Sequence, residues 1–214
     1  SGAKQWIAKY DGSAISDDKP VSIEVNMQGL IYITGYSSES NKDYITIVYD
    51  NNGNELWKKN FSGLANLNDE AESMLVDENG SAYILGYSTV KKNQRNRCLV
   101  KYDNSGAEKW FILSDQSVKL SDQGIAGLTM AFDKDGNILV TGSRKVINNK
   151  NPTLMVVDCY SKDGVLLWQT HYSKDNSIPV AAGITVDDNG NIYVTGYIIN
   201  AQSMYDYCTV KFSK

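Results

Sequence analysis

Short apolar and β-branched runs alternate with polar clusters along the chain, and three cues recur in the same order, four times each. The first is a glycine followed by a dense β-branched and aromatic stretch: GLIYITGY at 29–36, GSAYILGY at 80–87, GNILVTGS at 136–143 and GNIYVTGY at 190–197. The second is a run closed by an aromatic: DYITIVY at 43–49, RCLVKY at 97–102, LMVVDCY at 154–160 and DYCTVKF at 206–212. The third is Gly-x-x-x-Trp, from Gly2 to Trp6, Gly53 to Trp57, Gly106 to Trp110 and Gly164 to Trp168. Alternation enriched in Val, Ile, Tyr and Thr predicts strands, because side chains on a pleated strand point to its two faces in turn. DENG, DKDG and DDNG separate the first and second strands of a repeat, and DNNG, DNSG and SKDG the third and fourth. Asp or Asn with a nearby Gly is hairpin chemistry, since Gly accepts the positive φ that tight turns demand. One segment reads differently: LANLNDEAESML (64–75) places Leu64, Leu67, Ala71 and Met74 at roughly helical spacing. The repeat overrules it, because the aligned NSIPVAAGITV holds a Pro that a helix interior rejects.

The first cue recurs at intervals of 51, 56 and 54 residues, and the interval from Gly190 past Lys214 round to Gly29 is 53. The phrase VKYDNSGAEKW (100–110) is likewise matched by VKFSK at 210–214 joined to SGAKQW at 1–6. The repeat therefore stays in phase across the chain ends. Four-stranded units of about 50 residues, repeated in phase, predict an all-β, four-bladed β-propeller with four-stranded blades. The N-terminal strand KQWIAKY (4–10) is expected to join the C-terminal blade and close the ring. A single domain over 1–214 then divides into blades at about 21–60, 73–113, 128–172, and 183–214 plus 4–10.

DDNGNIYVTGY, followed by DYCTVKF, and YDNNGNELW resemble the bacterial SBBP-type β-propeller repeat. The likeness runs through all four copies; the third departs from it with Ser143 where the others have Tyr36, Tyr87 and Tyr197. The resemblance implies a propeller scaffold from an exported or surface-displayed bacterial protein, so secretion, the periplasm or the cell surface is the expected location.

Composition narrows the function. Apolar content of 42% and charged content of 21% are those of a folded protein. No apolar run approaches the length of about 18 residues that spans a bilayer as a helix, so no membrane insertion is expected, and no leader is read at the N-terminus. A net charge of −4 argues against nucleic acid as a partner. Cys98, Cys159 and Cys208 form no metal spacing and read as small buried hydrophobes.

Antiparallel order puts the short Asp/Asn-Gly turns at one end of every blade. The connections between second and third strands (SSESNKD, STVKKNQRN, RKVINNKNPT, IINAQSMYD) and the crossings between blades lie at the other. These are long and different in every copy, and variable loops on a rigid scaffold are where binding residues concentrate. Lys91, Lys92, Arg95, Arg97, Arg144, Lys145 and Lys150 would form a basic crescent for a protein or glycan partner of negative charge. The alternative is solvated loop tips. Asp17, Asp18, Asp69, Glu70, Glu72 and Asp122, on the crossings, would ring a channel mouth or hold a cation, although no metal site is assigned. DKDGN (133–137) resembles the start of a calcium loop but reads as a turn.

No catalytic residues and no cofactor are assigned. His171 is the single histidine, on an outermost strand and facing away from Trp168, and Glu24 is read as the only inner-strand carboxylate. The four Trp and the recurring Tyr fit packing between blades better than sugar stacking. The expectation is a non-catalytic binding or adhesion scaffold, a monomer rather than a dimer. A structural subunit, with two chains forming an eight-bladed ring, is the alternative, and a glycan-active enzyme comes third.

Overall fold

The computed structural model describes residues 2–13, 17–92, 94–114, 118–119, 128–145, 153–174, 177–200 and 205–213, which hold sixteen strands and no helix. The chain divides into two compact units, Ser1–Asp115 and Gln116–Lys214. In the first, β1 (Asp18–Val25), β2 (Ile31–Ser38), β3 (Lys42–Tyr49) and β4 (Glu55–Phe61) form an antiparallel sheet in chain order. β5 (Asp69–Val76), β6 (Ala82–Lys91), β7 (Gln94–Tyr102) and β8 (Glu108–Leu113) form a second in the same order. In the second unit the two-residue β9 (Val118–Lys119) precedes a third sheet of β10 (Thr129–Phe132), β11 (Ile138–Lys145), β12 (Thr153–Tyr160) and β13 (Leu166–Tyr172). The last sheet has three strands: β14 (Ser177–Val186), β15 (Ile192–Asn200) and β16 (Asp206–Phe212). Of the segment with helical spacing, 69–75 is strand, in β5, and 64–68 is turn.

The Asp/Asn-Gly turns share one construction. Asp50 Oδ1 accepts the backbone N–H of Asn52 and of Asn54, each at 2.9 Å, and Gly53 N–H donates back to Asp50 O at 3.0 Å. Asp77, Asp103, Asp133 and Asp187 repeat this pattern, and in SKDG the Ser161 Oγ takes the carboxylate's place. DKDGN is therefore a hairpin turn whose Asp133 carboxylate is spent on its own backbone and on Asn137 Nδ2.

Just past the turn between third and fourth strands, the ladder slips. Tyr49 faces Glu55 but Val48 faces Trp57, so Leu56 has no partner, and the same shift recurs in β7–β8 and β12–β13. The slip directs Trp57 toward the second sheet, where Nε1–H donates to Asn104 O at 3.2 Å. Its ring lies flat on Gly106, at φ +79°, where a Cβ would come within 2.8 Å of Trp57 Cδ2. Glycine there serves both the turn and the tryptophan.

Sheets pack face to face within each unit. In the first unit Tyr32, Tyr44 and Val48 of the first sheet interlock with Met74, Ile84, Cys98 and Val100 of the second, all 2% exposed or less. Tyr32 hydroxyl satisfies itself on Gly80 O at 3.0 Å, and its ring meets Trp57 edge-on. In the second unit Leu139, Met155, Val157 and Cys159 of the third sheet meet Ala181, Ile192 and Val194 of the last.

Residues 2–13 form no strand, and among the described residues the last sheet numbers three strands. The apolar side chains of residues 6–10 are engaged on the first sheet. Ala8 and Tyr10 pack on Ile45, Ile47 and Tyr49, and Trp6 Nε1–H donates to Asn51 O at 3.1 Å. This side-chain anchorage needs no ladder, and residues 2–6 stay exposed.

Candidate binding surface at the hairpin ends

The β2–β3 and β6–β7 hairpins are tighter than their sequences suggest. Ser38 pairs with Lys42, which leaves a three-residue connection at 39–41, and Lys91 pairs with Gln94. STVKKNQRN is thus mostly ladder rather than loop. Its β-branched and polar residues continue the alternation of β6 and β7, and each added rung pairs backbone groups that a loop would leave to water. The corresponding 146–152 and 201–204 lie outside the described residues.

The two hairpins carry matched cations. Lys42 and Arg95 hold the same position in successive sheets, opposite Ser38 and Thr89. Lys42 Nζ sits 4.4 Å over the Tyr36 ring and Arg95 4.1 Å over the Tyr87 ring, where the π face attracts positive charge. Glu70, near the start of β5, reaches both, with Oε1 at 2.5 Å from Lys42 Nζ and Oε2 at 3.8 Å from Arg95 Nη1. The Glu70 hydrogen bond raises the Lys42 ammonium above its ordinary pKa. Tyr36 and Tyr87, expected to pack between blades, also seat these cations, and Lys42 is a residue the sequence reading missed; its equal place with Arg95 in successive repeats was the available signal.

The expected basic crescent resolves into several environments. Lys91 and Lys92 are exposed at the β6–β7 turn. Arg95 is held by Tyr87 and Glu70, and Arg97 is buried, opposite Tyr87 in the ladder. Arg144 donates from Nη2 to Asp158 Oδ2 at 2.8 Å, where Asp158 is fully buried in β12. The side chain of Lys145 and all of Lys150 lie outside the described residues.

Two of the expected mouth carboxylates are structural. Asp18 Oδ2 accepts Gly12 N–H at 2.8 Å, and Asp69 Oδ2 accepts Gly63 N–H at 2.5 Å, six residues upstream in both repeats. Asp69 Oδ1 also takes Thr89 N–H at 3.0 Å. Each clamps a crossing onto the strand it leads into. Burial raises the Asp69 carboxyl above the usual range, and the Gly63 N–H opposes that rise. Asp17 and Glu72 are exposed, and Asp122 lies outside the described residues.

Asp18, Asp69, Glu70 and Glu72 lie in β1 and β5, the innermost strands, so Glu24 is not alone there. The crossings end earlier than the sequence suggested because the Asp clamp starts the strand. Among the described residues no three His, Cys, Asp or Glu side chains converge as metal ligands. His171 is exposed on β13, on the opposite side from half-buried Trp168. No described helix is long and apolar enough to cross a membrane.

No curated protein matches the sequence. Residues 175–201, which take in β14 and β15, match the family model of the SBBP β-propeller repeat. The same strand order, Asp/Asn-Gly turns and mid-strand glycine recur in the first and second sheets. The match to the SBBP β-propeller repeat thus covers residues 175–201, one copy of the repeating pattern.

Proposed function

We propose that the chain is a non-catalytic binding scaffold, exported or displayed on a surface, whose four sheets serve as propeller blades. The end bearing the β2–β3 and β6–β7 hairpins meets an anionic protein or glycan. One observation carries this reading: Lys91 and Lys92 stand exposed at the tip of a hairpin whose strands run ten and nine residues, against eight and eight in β2 and β3. Behind them, Arg95 stacked on Tyr87 gives the hairpin a rigid base. The carboxylates of Asp18, Asp69 and Glu70 already serve backbone amides or cations, which leaves them poorly placed as an acid–base pair.

The test is retention on an immobilised sulfated polysaccharide as salt is raised. Lys91→Glu with Lys92→Glu should lower the eluting salt markedly and leave the melting temperature unchanged. Unaltered retention refutes the reading. Reversing Arg95 or Arg97 is a poor test, because both are packed within the sheet. A second reading, a structural subunit of a larger ring, draws support from the last sheet, which numbers three strands among the described residues.

A further inference from the structure

Three bonds in the chain join Asn to Gly: Asn52–Gly53, Asn79–Gly80 and Asn189–Gly190. An asparagine before glycine is open to attack by its own backbone, because glycine has no side chain to keep its amide nitrogen off the neighbouring carboxamide. All three bonds sit in the same Asp-anchored turn, with the Asn exposed and the Gly at φ +84°, +79° and +81°. The glycine N–H is held on the backbone oxygen of the turn's aspartate, at 3.0 Å on Asp50, 2.9 Å on Asp77 and 3.0 Å on Asp187. That bond occupies the attacking nitrogen, so reaction waits on local opening of the turn.

What differs is the brace that packing puts on each turn. Within the first unit, Tyr32 of β2 donates its hydroxyl to Gly80 O at 3.0 Å, and Gln28 Nε2 donates to Glu78 O at 3.4 Å. A Cβ at Gly80 would come within 2.9 Å of that hydroxyl, and one at Gly53 within 2.8 Å of the Trp6 ring. The second unit packs its third sheet on the last in the same way but changes the residues. Leu139 of β11 stands at the place of Tyr32, opposite Cys159 and then Trp168 as Tyr32 is opposite Val48 and then Trp57. It has no hydroxyl to offer Gly190 O. Asp135 stands at the place of Gln28, and a carboxylate has no N–H to donate. Among the described residues, a Cβ at Gly190 would meet nothing within 4 Å. Asn191 Nδ2 does tie Asp187 Oδ2 at 2.8 Å, but that bond fixes the aspartate side chain and not the glycine.

We propose that Asn189 is the chain's principal site of spontaneous deamidation. When the turn opens, Gly190 N gives up its proton and bonds to Asn189 Cγ. The Cγ–Nδ2 bond breaks, and the carboxamide nitrogen leaves with a proton as ammonia. Water then opens the cyclic imide at either carbonyl, giving aspartate at 189 or the isomer whose main chain runs through the side-chain carbonyl. Both products add a negative charge beside Asp187 and Asp188. The isomer also lengthens the main chain by a carbon, and Asp187 Oδ1 can then no longer accept the Asn189 and Asn191 N–H groups together, each now at 2.9 Å. The anionic-partner reading is independent of this reaction, which involves neither Lys91 nor Lys92.

The test holds the full chain in mildly alkaline buffer, well below its melting temperature, and maps each Asn-Gly peptide by mass spectrometry for amide-to-acid conversion. Each site's rate in urea is its reference, since the residues before the three asparagines differ. The net worth of one hydrogen bond sets the scale, so Asn189 should convert about fivefold faster than Asn79 on this relative measure, and faster than Asn52. Tyr32→Phe removes the hydroxyl on Gly80 and should speed Asn79 by about the same factor while leaving Asn189 unchanged. Leu139→Tyr restores a hydroxyl in the second unit and should slow Asn189 towards Asn79. Equal relative rates at the three sites, or Asn52 or Asn79 converting first, would overturn the proposal. So would a folded Tyr32→Phe variant in which Asn79 converts no faster, because the brace would then have no hold on the turn.

Discussion

Met74 and Ile23 are the same residue position in two repeats, one sealed and one open, and truncating both measures what a sheet-to-sheet joint is worth. Met74→Ala removes roughly three heavy atoms from a side chain that is 2% exposed and packs among Tyr32, Tyr44 and Ile84. Lost burial at ~0.8 kcal/mol per methylene-sized group, together with the cavity left behind, gives a cost of about 2–5 kcal/mol. Ile23 is 64% exposed, so only about a third of its burial is at stake, worth ~1 kcal/mol with the loss of β-propensity adding at most about another. Urea unfolding followed by tryptophan fluorescence separates the two. With a slope of about 2 kcal/mol per molar urea, Met74→Ala should lower the midpoint by ~1–2 M and Ile23→Ala by about half as much or less. Equal shifts would refute the reasoning, because they would mean that the first sheet's outer face is covered within the folded chain, or that the joint contributes little.

Two further outcomes follow from the polar framework. The side-chain hydrogen bond from Asn191, with backbone and Tyr193 donors, holds the Asp187 carboxyl down to about 2. A depressed carboxyl stabilises the fold fully above its unfolded value of about 4 and loses that contribution as pH falls through about 2. Melting temperature should therefore decline over that window, and less steeply in Asp187→Asn; identical slopes would count against the turn's role. In the third sheet, Asp158→Ala should cost about 3–5 kcal/mol by stranding Arg144 beside an apolar wall, measured as the change in urea midpoint. Asp158→Val with Arg144→Ser, which installs the side chains found at Val100 and Ser88, should recover most of it. No recovery would show that the pair does more than fill a repeat position.

The strands, their order and their turns were legible because each rests on a local device. Asp-x-x-Gly fixes a turn through its own backbone, and the positive-φ glycine and the slipped rung then place the tryptophan. Even the helical spacing around Leu64–Met74 yielded to the repeat, since β6 offers a ladder to 69–76 and Met74 packs in the core with Tyr44. Charge was harder to read. Arg95, Arg97 and Arg144 look like loop cations in sequence, yet their neighbours Thr89, Asn96 and Leu154 extend the ladders and carry the arginines inward. What distinguishes them from Lys91 and Lys92 is a partner far along the chain: Glu70 for Arg95 and Asp158 for Arg144. Asp158 did carry a signal, as an acid at a position where the other sheets have Ile47, Val100 and Val210.

The N-terminal segment shows where repeat logic stops and pairing begins. Its spacing places Trp6 correctly on Gly53 and Tyr49, because that contact depends on one side chain meeting one turn. A ladder is a different requirement, since it needs two backbones brought edge to edge over several residues. The contact of Trp6 with the 50–53 turn makes no such demand, which is why the repeat spacing places the tryptophan without fixing a strand around it.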